Sequence, residues 1–252
     1  IDNIFNEFEP DSLVHFAAES HVDNSIKSSD EFIKTNIIGT YNLLEATRKY
    51  LHLNKKEESF RFLHVSTDEV YGSLSNGDES FIEESSYNPN SPYSASKASS
   101  NHLVRAWYQT YGLPCITTNS SNNFGPYQNE EKFIPTIIKK YMRKEKIPLY
   151  GNGKNIRDWI FVQDNVEAIR KVLDKGEIGQ VYNIGGDNEL SNIDLINFIC
   201  QTIRETYPDK DLNLKDYYKF VEDRPGHDFR YSLSSDKLKK DIIKNVTGIL
   251  DK

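Results

Sequence analysis

Apolar side chains fall at positions 1, 4, 5 and 8 of the opening IDNIFNEFEP, a helical spacing closed by Pro10. SLVHFAA (12–18) predicts a strand. DEFIKTNIIGTYNLLEATRKYL (30–51), apolar at every third or fourth position, predicts a long helix. Past the charged NKKEES, the run at 60–66 predicts a buried strand, because short stretches rich in β-branched and aromatic residues suit a covered sheet. A polar loop follows over 73–90. The segment 91–112 predicts a helix with Pro92 in its first turn and Gly112 at its end, and LPCITTNS predicts a third strand. Strands alternating with helices in this way predict an α/β fold with a parallel sheet.

The texture changes near residue 120. A Gly/Asn/Pro-rich loop (120–132) leads to a helix at 133–144 and a turn-and-strand region at 147–162. A helix at 164–174, a strand VYNIG, a helix from Ser191 to about Thr206 and a strand near 217–222 complete the pattern. Ser191 with Asp194 three residues on predicts a helix cap, Asp standing in for the usual Glu. The Lys-rich tail DKLKKDIIKNVTGILDK is expected to fray. This second half predicts a smaller lobe laid against the end of the parallel sheet.

Composition narrows the function. The chain is 252 residues long, 37% hydrophobic and 27% charged, which suits one large domain or a domain with a lobe. A net charge of -7 gives no electrostatic footprint for a nucleic-acid backbone, so an anionic ligand must be met by local Arg or Lys. Cys115 and Cys200 lie far apart without CxxC spacing, arguing for a reducing, cytoplasmic setting and against disulfides or a zinc site. No apolar run approaches the roughly 18 residues of a membrane span, and no targeting segment is evident.

Chemistry concentrates in two places. VSTDEVYG (65–72) ends a buried strand with adjacent carboxylates, Asp68 and Glu69. They are either a solvated turn or catalytic groups, since open α/β sheets hold ligands beyond the carboxyl ends of their strands. Tyr93 and Lys97 in YSASK stand one helical turn apart on one face. An ammonium beside a phenol favours the phenolate and lowers its pKa, so the pair could take a hydroxyl proton while hydride leaves the adjoining carbon. Tyr150 and Lys154 share the spacing, but the GNG between them reads as a turn and offers no common helical face. His15 and His64 read as satisfied core residues. No metal-ligand spacing appears, and GNG and IGGDN are turn signals rather than phosphate loops.

The order of these segments, together with HFAAESHVD (15–23), TNIIGT (35–40), GNGKNIRDWIFVQD (151–164) and DRPGHDFRY (223–231), closely resembles the extended short-chain dehydrogenase/reductases. Within them it resembles the nucleoside-diphosphate-hexose 4,6-dehydratases, from the first residues to about residue 240. Adjacent acids at the STDE position mark the dehydratases, and the GHD version of the last motif resembles their thymidine-nucleotide branch. The resemblance implies a Rossmann-like fold, with a partial NAD-binding domain over 1–120 joined by segments from 155–190. A lobe binding the nucleotide sugar would cover 121–252. It implies NAD as cofactor, dTDP-glucose as substrate and a homodimer formed through long helices, including the one bearing Tyr93.

It also implies roles. Tyr93 would be the base at C4, tuned by Lys97, and Thr67 would hydrogen-bond near the C4 oxygen. Glu69 would take the C5 proton, and Asp68 would protonate the departing C6 hydroxyl. Phe16, Ala17, Ala18, Glu19, Ser20, Thr35, Tyr93, Lys97 and Asn123 would hold the dinucleotide. Ser20, Thr67, Asn122, Lys132, Arg157, Asn192, Arg224 and His227 would hold the sugar nucleotide, the arginines suiting a pyrophosphate because a planar fork binds oxygens in pairs. The family's N-terminal Gly-rich βαβ unit, whose helix end binds the NAD pyrophosphate, has no counterpart in these 252 residues. The opening helix and strand match a point inside the family's first domain, and relatives continue with further helix after SSDKL. Three functions stay open: a dehydratase of dTDP-glucose, a UDP-glucose dehydratase or epimerase-like relative, and an inactive fragment that binds a nucleotide sugar.

Overall fold

A computed structural model describes residues 1–55, 59–208 and 217–242. The opening helix α1 (Asp2–Phe8) leads into β1 (Ser12–His15), which ends three residues earlier than the apolar run predicts, because residues 16–18 leave the sheet. A short helix, α2 (Val22–Lys27), occupies a stretch for which no element is predicted. The long helix predicted next is present but composite. It comprises α3 (Asp30–Phe32), a π-helical segment (Ile33–Ile38) and α4 (Gly39–Asn54). Then come β2 (Arg61–Thr67), a 3₁₀ turn (Asp68–Tyr71), α5 (Pro92–Tyr111) and β3 (Cys115–Ser120).

β1, β2 and β3 form a parallel sheet with a later strand, β7 (Val181–Ile184), in the order β1-β2-β3-β7. The register pairs His15 with His64 and Thr67 with Ser120, so the strands finish nearly level and the groups after them share one crevice. Alternation along β2 sorts its side chains to both faces. Phe62 packs with Leu44, Tyr50, Leu51 and Val104 of α4 and α5. Leu63 packs with Ile160, Ile169, Val172 and Ile184 on the other side. Both faces are covered, which is why the strand reads as a nearly continuous apolar run.

The loop predicted at 120–132 contains a strand, β4 (Asn122–Phe124), which pairs in parallel with β6 (Ile156–Phe161). α6 (Phe133–Met142) and β5 (Ile147–Tyr150) precede β6, and α7 (Val162–Lys175) follows it. Beyond β7, β8 (Glu189–Ser191) runs antiparallel to β6 and opens α8 (Asn192–Thr206). The Ser191 hydroxyl caps α8 by accepting from the Asp194 N–H at 3.2 Å, as its spacing predicts. β9 (Tyr218–Val221) pairs with β5, and α9 (Asp236–Asp241) packs Leu238 against the sheet. The remainder of the Lys-rich tail, 243–252, lies outside the described residues. A third core around Ile137, Leu149, Trp159, Leu195 and Cys200 joins α6 and α8 to β5 and β6. Both cysteines are free and buried.

The 73–90 segment is polar but not loose, for Leu74 bridges Arg230 and Phe81 bridges Leu233. Its start is fixed at Gly72, whose φ of 87° and ψ of -151° lie in a region open essentially to glycine. A Cβ there would sit 2.3 Å from the Asn88 carbonyl oxygen. Gly72→Ala is therefore expected to lower stability by about 1–3 kcal/mol, read as a drop of several degrees in Tm by calorimetry. An unchanged Tm would show that the Asn88 backbone yields freely and does not brace the 3₁₀ turn.

Candidate active site

β2 ends where the Thr67 side chain caps the 3₁₀ turn. Its Oγ1 accepts from the Glu69 N–H at 3.3 Å and donates to Asp68 Oδ1 at 3.1 Å. The far side of the turn is anchored by Val70 and Tyr71, both buried. The Tyr71 hydroxyl donates to Asn183 Oδ1 at 2.9 Å and accepts from Asn119 Nδ2 at 2.9 Å, tying the turn to β7 and β3. The acids are held between these anchors. Asp68 is 2% exposed, and its Oδ2 has no hydrogen-bond partner. Burial pushes its carboxyl well above the ordinary range, the neighbouring Glu69 charge adds to the push, and the Thr67 bond opposes it. Burial also raises Glu69, against the pull of Arg224 and Arg157. Burial rules out a solvated turn and biases Asp68 toward its protonated form, beside a second carboxyl that reaches the adjoining cavity.

Tyr93 and Lys97 ride on α5, whose start is fixed by Pro92 and by a reciprocal Ser91–Ser94 capping box. The Tyr93 N–H donates to Ser25 Oγ of α2 at 3.2 Å. Both side chains are buried. The expected electrostatics are reversed, however. The phenol is pushed up, first by burial and then by the charges of Glu69 and Asp68. Lys97 does not counter this, because its Nζ donates to the Val65 carbonyl at 2.9 Å and burial draws its own pKa down to about 8.

The substrate contacts implied by the resemblance converge, with one exception. Ser20, Asn122, Lys132, Arg157, Asn192, Arg224 and His227 all line a cavity of about 280 Å³ that Glu69 also reaches. Thr67 does not line it, for its hydroxyl is engaged with Asp68 and Glu69 rather than facing the place of a sugar oxygen. Arg224 Nη1 bonds Asp23 Oδ1 at 3.2 Å, and the Tyr150 hydroxyl donates to Asp23 Oδ2 at 3.1 Å. Burial works to raise the Asp23 carboxyl but is outweighed by Arg224 and Tyr150, so it is held low. Burial and the Arg224 charge push His227 down to about 4, although its Nδ1 sits 2.6 Å from Asp223 Oδ1. Lys132 Nζ donates to the Ser20 carbonyl at 2.8 Å and to its hydroxyl at 3.2 Å.

Arg157 departs from the expected fork on a pyrophosphate. Its guanidinium lies 4.2 Å over the Tyr231 ring and donates to the carbonyls of Ile156, Asp228 and Phe229. It therefore brings charge to the cavity with few donors to spare. The sequence reading also missed Tyr150. The GNG after it is a turn and Lys154 is exposed, as expected, yet the phenol belongs to the cavity wall.

On the cofactor side, Phe16 to Ser20 form the strip that leaves β1, with Phe16 exposed. Asn36, in the π-helical segment beside Thr35, accepts from the Glu19 N–H at 2.9 Å and donates to the Glu19 carbonyl at 3.0 Å. It also donates to Ser96 Oγ at 2.8 Å, welding this strip to α5 between Tyr93 and Lys97. No local motif marks Asn36, whose partners lie 17 and 60 residues away. Ser66 Oγ, near the carboxyl end of β2, and Asn123 Oδ1, in β4, are buried without a protein hydrogen-bond partner. Orphan acceptors and hydroxyls there suit a ligand rich in hydroxyl and amide groups. A dinucleotide fits that description. His15 and His64 are buried as expected but not fully satisfied. His15 Nε2 meets Thr40 Oγ1 at 2.9 Å, whereas neither ring nitrogen of His64 makes a hydrogen bond of ordinary geometry. Burial and the Lys97 charge keep His64 neutral. Among the described residues no three His, Cys, Asp or Glu side chains are grouped to hold a metal, and no helix is long and apolar enough to cross a membrane.

A parallel sheet with a Tyr/Lys helix beside its crevice defines a Rossmann-like fold of the short-chain dehydrogenase/reductase class. The family model described as GDP-mannose 4,6 dehydratase matches residues 1–242. dTDP-glucose 4,6-dehydratase of Haemophilus influenzae is 52% identical over 248 residues, covering 96% of this chain and 73% of that protein. The Neisseria meningitidis enzyme of the same name is 51% identical over 247 residues, covering 96% and 70%. Among solved structures, DesIV, a dTDP-glucose 4,6-dehydratase from Streptomyces venezuelae with NAD bound, superposes with a TM-score of 0.86 at 38% identity, over 98% of this chain and 72% of that one. The Bacillus anthracis dTDP-glucose 4,6-dehydratase in complex with NAD gives 0.81 at 39% identity, over 99% and 73%. The chain belongs to the nucleotide-sugar 4,6-dehydratase family, among the dTDP-glucose 4,6-dehydratases.

The raised Asp68 carboxyl has a consequence for stability. The folded chain keeps a proton there that the unfolded chain releases above about pH 4. Because the folded state binds the extra proton, this group's contribution to stability falls as pH rises from about 4 toward the elevated pKa. Asp68→Asn removes the penalty. Its Tm is expected to exceed that of the wild type at about pH 8 and to match it near pH 4, measured by calorimetry across that range. A gain that is larger in acid would mean that Asp68 is ionised in the folded protein.

Proposed function

We propose that this chain carries the chemistry of dTDP-glucose 4,6-dehydration, converting dTDP-glucose to dTDP-4-keto-6-deoxyglucose with NAD as cofactor. The observation that carries it is the buried Asp68–Glu69 pair, whose Asp68 carboxyl burial pushes well up and whose Glu69 lines a cavity shared with Arg224, Arg157 and Lys132. The C5 proton of a hexose is barely acidic until C4 becomes a ketone, which places that proton α to a carbonyl. Phe16–Ser20 with Thr35, Lys97 and Asn123 would hold NAD, which when bound would supply a hydride acceptor for C4 and a hydride donor for C6. Tyr93 takes the O4 proton. Glu69 takes the C5 proton, and Asp68 gives its proton to the C6 hydroxyl as it leaves as water. Arg224, Lys132 and Arg157 supply the positive potential for the pyrophosphate, Arg224 exchanging its Asp23 partner for a phosphate oxygen.

A homodimer and a cytoplasmic setting accompany this reading. Exposed Ile33, Ile38 and Tyr41 along the composite helix support a helical interface with a second copy.

Asp68→Asn is expected to slow water loss by about 10²–10⁴-fold, while exchange of the sugar's C4 hydride with the bound cofactor persists. Proton NMR of dTDP-glucose turnover reads both. Normal dehydration by this variant would remove Asp68 from the acid role. Run in parallel, UDP-glucose should be the poorer substrate for the wild type, and faster turnover of it would overturn the assignment to thymidine nucleotides.

A further inference from the structure

The cations that line the cavity are restrained in different ways. Lys132 is held by the carbonyl and hydroxyl of Ser20, and Arg157 by backbone carbonyls and the Tyr231 ring. Those partners are neutral. Arg224 is tied instead to a carboxylate, its Nη1 meeting Asp23 Oδ1 at 3.2 Å. The two come from distant parts of the chain. Asp23 sits in the first turn of α2, which is joined to α5 where Ser25 accepts from the Tyr93 N–H, whereas Arg224 follows β9. Tyr150 of β5 donates to the other oxygen, Asp23 Oδ2, at 3.1 Å, and its ring makes edge contact with His227 at 6.1 Å. Each carboxylate oxygen therefore has its own partner, and giving up Arg224 leaves the Tyr150 bond in place. The Arg224 and Asp23 side chains are 21% and 24% exposed and both line the cavity, so a ligand can reach the pair.

Freeing Arg224 leaves a carboxylate in the cavity wall without its counter-ion, which is costly. A diphosphate can compensate, because its charged oxygens accept from a guanidinium fork in pairs. The carboxylate left behind stays bonded to Tyr150 and repels the anion beside it. We infer that Asp23 is an affinity-setting latch: it competes with a bound diphosphate for Arg224 and retakes the guanidinium as that ligand leaves, so its charge weakens binding and quickens release. Tyr150 keeps the latch in position throughout. A product that still carries the diphosphate is thereby kept from staying on the enzyme as firmly as the cations alone would hold it.

This inference rests on the diphosphate reading of the cavity proposed above, and binding without turnover tells the two apart. Isothermal titration calorimetry measures dTDP and UDP on the wild type, and whichever binds more tightly is carried to Asp23→Asn and Asp23→Glu. Stopped-flow displacement, followed by tryptophan fluorescence because Trp159 lines the cavity, gives the release rate. Asparagine keeps the shape and can still accept from Tyr150, but carries no charge. Asp23→Asn is expected to bind the diphosphate about fivefold more tightly, the gain appearing as slower release. Asp23→Ser, smaller and also uncharged, repeats that arm in case asparagine disturbs folding. Asp23→Glu keeps the charge and should stay within about threefold of the wild type. In an Arg224→Gln background, studied at higher ligand concentration, Asp23→Asn should change affinity by less than about twofold, since no guanidinium remains to contest.

A residue that merely braced the site would weaken binding when changed. Weaker or unchanged binding by the uncharged variants therefore overturns the latch and leaves the diphosphate reading standing. Equal tightening with and without Arg224 would show plain repulsion and overturn it too. If the wild type binds neither nucleotide, the diphosphate reading falls and the latch with it.

Discussion

A carboxyl group taken out of water holds on to its proton, and the whole arrangement around Asp68 follows from that constraint. Burying one acid beside another costs stability, since neither can spread its charge into solvent. The fold meets the cost by anchoring the turn rather than the acids. Val70 and Tyr71 sink into the protein, and the Tyr71 hydroxyl sits in a buried network with Asn119 and Asn183 from two neighbouring strands. A fully made polar network of this kind fixes one geometry. Asp68 and Glu69 are carried to their places by residues that have no part in the chemistry.

The positive groups obey the same logic in reverse. A cavity for a pyrophosphate needs guanidinium and ammonium groups, and each must be kept from collapsing onto Glu69. Arg224 is drawn to Asp23 and Tyr150, Arg157 to three carbonyls and the Tyr231 ring, and Lys132 to Ser20. Their charge is felt at Glu69, where it opposes burial, but they do not form a direct ion pair with it. The result is a carboxyl raised only moderately, suited to a base, next to one raised far, suited to an acid.

How much of this was legible in the sequence depended on how local the cause was. The strands of the parallel sheet and the Tyr93 helix announce themselves through period and caps, because Pro92, Ser91 and Gly112 act within a few residues. Seven of the eight substrate contacts carried by motif resemblance line one cavity, since motifs of six to fourteen residues hold their own backbone shape. Asn36 and Tyr150 were missed for the opposite reason. Their roles exist only through partners brought in by the fold, Glu19 and Ser96 for one and Asp23 for the other. β4 was lost within a loop because its pairing with β6 is set some 37 residues away by Asn122 and Trp159, and three residues cannot show a period. The direction of the Tyr93 shift was misjudged because spacing places Lys97 on the same face without saying which acceptor its ammonium chooses.

That misjudgment carries a physical lesson about the site. Tyr93 in a ring of acids keeps its proton, and Lys97, bound to Val65, does little to loosen it. Positive charge entering the crevice would offset Glu69 and draw the phenol down toward use as a base. The same charge would steady Glu69 as a carboxylate. Proton abstraction at C4 and at C5 are thereby tied to a single electrostatic event, the filling of the crevice. An enzyme built so has no strong base exposed while it is empty, and its reactive groups are set by what they bind rather than by the fold alone.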